Sequence, residues 1–178
     1  MPTPITHLIV SLPINQSVMK RNNNKKVFLF SILAAGFADI DYIAYLYGVP
    51  ETNFFGHRAF THSFFFSFVF ALTVCVIFFR EIKFKSKSFF LLLINFFFIA
   101  SSHSILDFLV NKNSGAALFS PFIKERIIFA YAPIAETTTG VIAYFQNYLW
   151  LILKVEFFYI IMPALIIYFF LFKKLKNY

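Results

Sequence analysis

Four long apolar runs, at 27–47, 63–79, 88–110 and 144–172, divide this chain, and most of its lysines and arginines fall in short clusters between them. A hydrocarbon core about 30 Å thick takes about 20 helical residues to cross, so runs of this length read as membrane spans. In lipid every backbone amide and carbonyl must find its partner within the protein, and that makes such segments helical. Composition agrees, with 60% hydrophobic residues, 29 Phe among 178 positions and 13% charged residues, against roughly 25% charged in soluble domains. The run at 63–79 is short but continuous, and that at 144–172 is interrupted by Lys154, Glu156 and Pro163. A fifth stretch, 5–19, carries Pro13 and Gln16 and fits a tilted span, a re-entrant piece or an interfacial helix. It has no basic region ahead of it, and so does not read as a cleaved signal peptide. The expected fold is all-α: a multi-span helical membrane protein with four spans and a short N-terminal helix as candidate fifth. Residues 1–178 are expected to form a single integral-membrane domain.

The basic residues orient these spans. Lys20, Arg21, Lys25 and Lys26, then Arg80, Lys83, Lys85 and Lys87, then Lys173, Lys174 and Lys176 make three rich segments. The alternate connections hold only Arg58, Lys112, Lys124 and Arg126. The positive-inside rule puts the rich segments in the cytoplasm, so the far ends of 27–47 and 88–110, and the loop before 63, face outward. A net charge of +8 is thereby a topological signal; no nucleic-acid recognition motif accompanies it, and no nucleic-acid partner is expected. The single cysteine, Cys75, excludes an internal disulfide and a cysteine-rich zinc site.

Against this apolar background, the four histidines and three aspartates occupy four short stretches: Thr6-His7, Asp39-Ile40-Asp41, the block from His57 to Ser63, and His103 with Asp107. Ionisable groups within spans are costly and mark function by default, which makes their grouping informative. The orientation, inferred from Lys and Arg alone, brings Asp39, Asp41, His57, His62, His103 and Asp107 to the external face, with His7 joining them if 5–19 crosses. His103 and Asp107 are four apart and share one helical face, where they suit a common ion or a polar seam between helices. Asp39 and Asp41 are two apart and diverge on a regular helix. They serve one site only if the helix ends there, or if one binds an ion while the other orients a histidine. His57 and His62 sit in a loop with Arg58 between them, a pattern that suits two ligands and an anion-binding group.

In that order these stretches resemble the bacterial membrane-bound metal-dependent hydrolases, the YdjM-like family of LexA-regulated inner-membrane proteins. The matching positions are Thr6-His7, Asp39-Ile40-Asp41, His57-Arg58-Ala59-Phe60-Thr61-His62-Ser63, His103 with Asp107, and Gly115 leading to Pro121-Phe122. Ala38 stands where the family usually has Pro, and Ala59 where Gly is common; neither change removes a polar side chain. The resemblance spans about the first two thirds of the chain. It implies a multi-pass protein of the bacterial inner membrane with hydrolase activity, and names no substrate.

The chemistry expected of such groups is metal-assisted hydrolysis. Neutral imidazoles and carboxylates hold zinc, which lowers the pKa of bound water toward about 7; manganese and iron suit the same ligands. His7, Asp39, Asp41, His57, His62, His103 and Asp107 are the candidate ligands, more than one tetrahedral ion needs. Two ions are therefore expected to fit, bridged by a carboxylate such as Asp41, as in enzymes that cleave phosphate esters. Arg58 is the candidate for substrate phosphate, and Asp41 and Asp107 are candidate general bases. A site at the lipid boundary suggests membrane lipids as neighbours and a lipid or phosphoester substrate. The alternatives are a metal-ion or proton transporter, and a non-catalytic protein whose polar cluster staples helices. Outside the cluster, 111–140, with Asn113, Ser114, Gly115 and Ser120-Pro121-Phe122, reads first as an ordinary loop and second as a lid over the site, and Glu136 in it first as a solvated acid and second as an added ligand. Lys154 and Glu156 read as snorkelling side chains, or as the point where a peripheral helix meets the last span.

Overall fold

The computed structural model describes residues 2–22, 25–110, 115–129 and 149–176, whose regular structure is helical apart from one isolated antiparallel bridge, Ala116 to Ile127. Helix α1 covers Pro4–Asn22 and starts on a proline, a residue preset for a first helical position. Helix α2, Lys25–Gly36, passes through a 3-10 turn at Phe37–Asp41 into the short α3, Tyr42–Leu46. After a loop and a second 3-10 turn, Phe60–His62, helix α4 runs over Phe64–Phe78, its start capped by the Ser63 hydroxyl accepting from the Phe66 amide at 3.0 Å. Helix α5 spans Lys87–Val110. The last segment is α6, Leu149–Glu156, a π turn at Phe157–Ile161, and α7, Met162–Lys176.

Among the described residues, three helical stretches are long and apolar enough to cross a membrane, Lys25–Leu46, Lys87–Leu109 and Leu153–Lys173, and Phe64–Phe78 is a shorter apolar helix. The N-terminal stretch expected at 5–19 lies within α1, which packs against α2, α5 and α7. Positions 144–148 of the last expected run, and Lys112, Asn113, Ser114 and Glu136, lie outside the described residues.

The bundle interior mixes small and polar groups with a few large apolar side chains, and many other large apolar side chains point outward. Ala34, Ala35, Ile99 and Ala100 form one buried cluster, where small side chains let α2 and α5 approach closely. A second cluster joins Val18, Val27, Ala71, Val74, Cys75, Phe79, Leu92 and Phe96. Phe28, Leu29, Phe65, Phe68, Phe98, Phe169 and Phe170 point outward, as lipid-facing residues do. Helices α1 and α5 run antiparallel in a fixed register: the His7 ring stacks on His103 with centroids 3.9 Å apart, and the Asn95 amide donates to Asn15 Oδ1 at 3.2 Å. About two helical turns separate these contacts on each helix.

One expectation fails outright. Glu156 does not snorkel: its carboxylate is fully buried and accepts from the Thr3 amide at 2.8 Å and the Thr3 and Thr6 hydroxyls at 2.7 and 2.6 Å. Three donors replace the water that a snorkelling carboxylate would seek, whereas Lys154 is exposed as expected.

Candidate metal centre

The site lies at the end of the bundle away from Lys25, Lys26, Arg80, Lys83 and Lys87, because α2, α4 and α5 all have their opposite ends there. Between the two ends, α1, α2, α4 and α5 carry no Asp, Glu, His, Lys or Arg.

The 3-10 turn at Phe37–Asp41 makes the aspartate pair usable. At 3.6 residues per turn, side chains two apart point about 160° from each other; at 3.0 they point about 120° apart. Asp39 and Asp41 thus both reach the site, on different sides of His62. Asp39 Oδ1 lies 3.6 Å from His62 Nε2 and 3.3 Å from His103 Nε2. From α5, Asp107 Oδ2 lies 3.3 Å from His62 Nε2. His7, on α1, brings its Nε2 to 3.6 Å from Asp107 Oδ1.

Two hydrogen bonds decide which nitrogen of each central histidine faces inward. His103 Nδ1 donates to the Ala35 carbonyl at 2.7 Å, and His62 Nδ1 donates to Asp41 Oδ2 at 3.0 Å. Both acceptors can only accept, so each ring spends its Nδ1 proton outward and turns Nε2 toward the carboxylates. Orienting bonds of this kind recur behind metal-ligating histidines.

Asp41 serves the loop rather than the pocket. Its Oδ1 accepts from His57 Nδ1 at 2.8 Å, and its Oδ2 accepts from the Arg58 amide at 3.0 Å, the Thr61 hydroxyl at 2.5 Å and His62 Nδ1. Aiming that amide inward puts Arg58 in the left-handed region, at φ 60°, a conformation that costs about 1 kcal/mol or more in a non-glycine residue. Gly56 is required beside it, since a Cβ there would run into the carbonyl oxygens of Pro50 and Glu51. The Arg58 guanidinium turns back to Asp107, with Nε 3.4 Å from Oδ2.

The segment 115–129 clasps this loop. Ala117 donates to the Arg58 carbonyl at 3.1 Å, Phe64 donates to the Leu118 carbonyl at 3.0 Å, and the Ser120–Pro121 bond is cis. Arg126 spends one Nη on the carbonyls of Glu51 and His57, both at 2.7 Å. Burial pushes the Arg126 pKa down, with the Glu51 carboxylate acting in the opposite direction. At His62 burial also opposes the charged form, yet Asp107, Asp39 and Asp41 outweigh it and hold the imidazole well above the usual histidine pKa.

Ligand atoms of Asp39, His62, His103 and Asp107 all lie within 4.8 Å of one another, as do those of Asp41, His57 and His62. The first group fits a cation better. Asp39 Oδ1, His62 Nε2, His103 Nε2 and Asp107 Oδ1 are buried with no hydrogen-bond partner, and so are both ring nitrogens of His7. Buried polar atoms are rarely left this way, and a cluster of them aimed at one point is a set that an ion could satisfy. Bonds of about 2.0 to 2.1 Å in a tetrahedron place ligand atoms about 3.4 Å apart. The separations of 3.3 to 3.6 Å around His62 and His103 match that edge, and are long for good hydrogen bonds. In the second group the contacts to Asp41 are ordinary hydrogen bonds that occupy its oxygens.

The whole chain carries the same relationship. The model of a family described as YdjM inner membrane protein matches residues 1–177. The chain belongs to that family. It is similar to "Inner membrane protein YbcI" of Escherichia coli (strain K12), 29% identical over 169 residues that cover 94% of this chain and 95% of that protein. No solved structure matches. This YdjM-family chain is therefore an inner-membrane protein, with, among its described residues, three helices able to span the bilayer and His/Asp groups that could hold a metal ion.

Sequence reasoning undervalued three residues. Thr3 was outside every motif, Arg126 counted only as a topological charge, and Glu156 only as a snorkelling acid. For Glu156 a signal existed: an acid inside an apolar run needs a partner, and short hydroxyl residues near another span can supply one.

Proposed function

We propose that this protein is a membrane-embedded metal-dependent hydrolase whose centre, at the outer face of the inner membrane, cleaves a phosphoester of a lipid or lipid-linked substrate. The observation that carries this reading is the set of buried, unpartnered nitrogen and oxygen atoms on Asp39, His62, His103 and Asp107. Zinc or a similar divalent ion held there would lower the pKa of bound water from 15.7 toward about 7 and so supply hydroxide at neutral pH.

The residues divide the work. His62 and His103 offer Nε2 because Asp41 and the Ala35 carbonyl hold their Nδ1 protons. Asp107 turns one oxygen toward His62 and the other toward His7, so that of the two carboxylates it, rather than Asp41 whose oxygens are taken by hydrogen bonds, would be the one free to hold a second ion. Arg58, beside Asp107, supplies positive charge for phosphate. The Asp39 side chain is 26% exposed, against 0 to 3% for His62, His103, Asp107 and His7, and marks the side from which water and substrate arrive. The lack of Asp, Glu, His, Lys and Arg in α1, α2, α4 and α5 between this end and the basic end favours chemistry at one face over ion passage between those helices.

The test is turnover by detergent-purified, zinc- or manganese-loaded protein on phospholipids, lipid monophosphates and lipid diphosphates. Metal-dependent release of phosphate or headgroup, lost in Asp107→Asn while the protein stays folded, is the expected result. Metal binding without cleavage of any of these would count against the hydrolase reading.

A further inference from the structure

We propose that Glu156 is a positioning residue for His7: it fixes the height and rotation of the first turn of α1, and through that turn the imidazole that borders the pocket. Glu156 lies inside the candidate span Leu153–Lys173 and is fully buried. A carboxylate in that setting is retained only with good partners. Its three donors all belong to Thr3 and Thr6, at the start of α1. The opening amides of a helix lack intrahelical acceptors and carry the positive end of its dipole, so an anion is favoured there, and here the anion comes from the far end of the chain.

His7 depends on that anchorage. Thr3 and His7 are four residues apart on one face of the turn, with the His7 amide 3.3 Å from the Thr3 carbonyl. Neither ring nitrogen of His7 makes a close hydrogen bond, and its ring is placed by the helix backbone, by stacking on His103 and by the Asp107 carboxylate 3.6 Å from its Nε2. What moves the first turn of α1 therefore moves His7. Directly after Glu156 comes the π turn Phe157–Ile161, a feature frequent at functional sites. It leaves Glu156 facing α1 while Phe157, Phe158 and Tyr159 face outward. The last helical segment thereby reaches the site through α1.

Two measurements test this on the full chain in detergent, and only the second rests on the metal reading. In metal-free protein labelled with 15N on the histidine rings and assigned by single substitutions, Glu156→Gln, which keeps the side-chain size, should shift the His7 signals and leave those of His57 unmoved. Unchanged His7 signals, or all four rings moving together, would overturn the proposal. In zinc titrations, Glu156→Gln should weaken binding about tenfold in the parent background, and hardly at all in His7→Ala, because residues acting through one another are not additive. Equal losses in both backgrounds, or none in either, would overturn it. A parent protein that takes up no zinc would sink the metal reading and leave the ring spectra to decide the role of Glu156.

Discussion

His62 Nδ1 lies 3.0 Å from Asp41 Oδ2, and that single contact turns the other ring nitrogen of His62 toward Asp39 and Asp107. One aspartate of the pair orients a histidine and its neighbour two residues away faces the same histidine from the pocket.

Asp41→Asn keeps the side-chain volume but puts an amide nitrogen in place of one of the two oxygens that together accept from four donors. Metal affinity should fall about 10- to 100-fold, the range found for partners behind a ligating histidine. Equilibrium dialysis with zinc, alongside helical content by circular dichroism, measures it. An unchanged affinity would mean that Asp41 does not set the orientation of His62.

Proton and metal should compete for His62. Its pKa stands above the usual value, so below that raised value an entering ion must displace a proton, and affinity should rise about tenfold per pH unit before levelling off. For the metal-free fold the sign is opposite: a raised pKa stabilises fully at low pH and the benefit is lost as pH rises through it. Metal should therefore protect against thermal unfolding more at pH 8 than at pH 6. Equal protection at both would argue against His62 as a ligand.

Arg126→Lys replaces a planar fork with a point charge and gives up the pair of carbonyl contacts at 2.7 Å. Leaving those carbonyls without a donor should cost about 1 to 3 kcal/mol, seen as a lower unfolding temperature in detergent. Metal affinity should fall as well, because Arg126 holds the His57 carbonyl in the loop that Asp41 organises. A lower unfolding temperature with unchanged affinity would separate the loop from the site.

Asn95→Ala and Asn15→Ala should each destabilise by about 0.6 kcal/mol, up to about 1.7, the range for polar contacts between membrane helices. The double variant should lose less than the sum, since both remove one contact. Full additivity would mean that the pair does not act as the clamp between α1 and α5.

The gathering of His and Asp residues at one end of a helical bundle was legible in the sequence. The apolar runs fix the helices, and the basic clusters fix which ends lie together. That one aspartate of the pair would orient a histidine was one of two readings the spacing left open; which of Asp39 and Asp41 does so was not legible, because it depends on a 3-10 turn that residues two apart do not announce. Glu156 was misread because an acid near a span end has two solutions, water or a partner. Its partner Thr3 lies 153 positions away, and only tertiary structure chooses. Arg126 was passed over for the same reason: its acceptors are backbone carbonyls in another loop, and side-chain chemistry leaves no trace of them. The number of crossings was equally beyond reach for α1, whose polar face is sheltered by neighbouring helices.

The most direct test of the metal centre is elemental analysis of the protein purified in detergent, for the parent and for His103→Ala. At least one equivalent of zinc, manganese or iron per parent chain, reduced to a small fraction in the folded variant, is the predicted result. A folded parent with no bound metal after incubation with each ion, or a variant that retains the full complement, would contradict it.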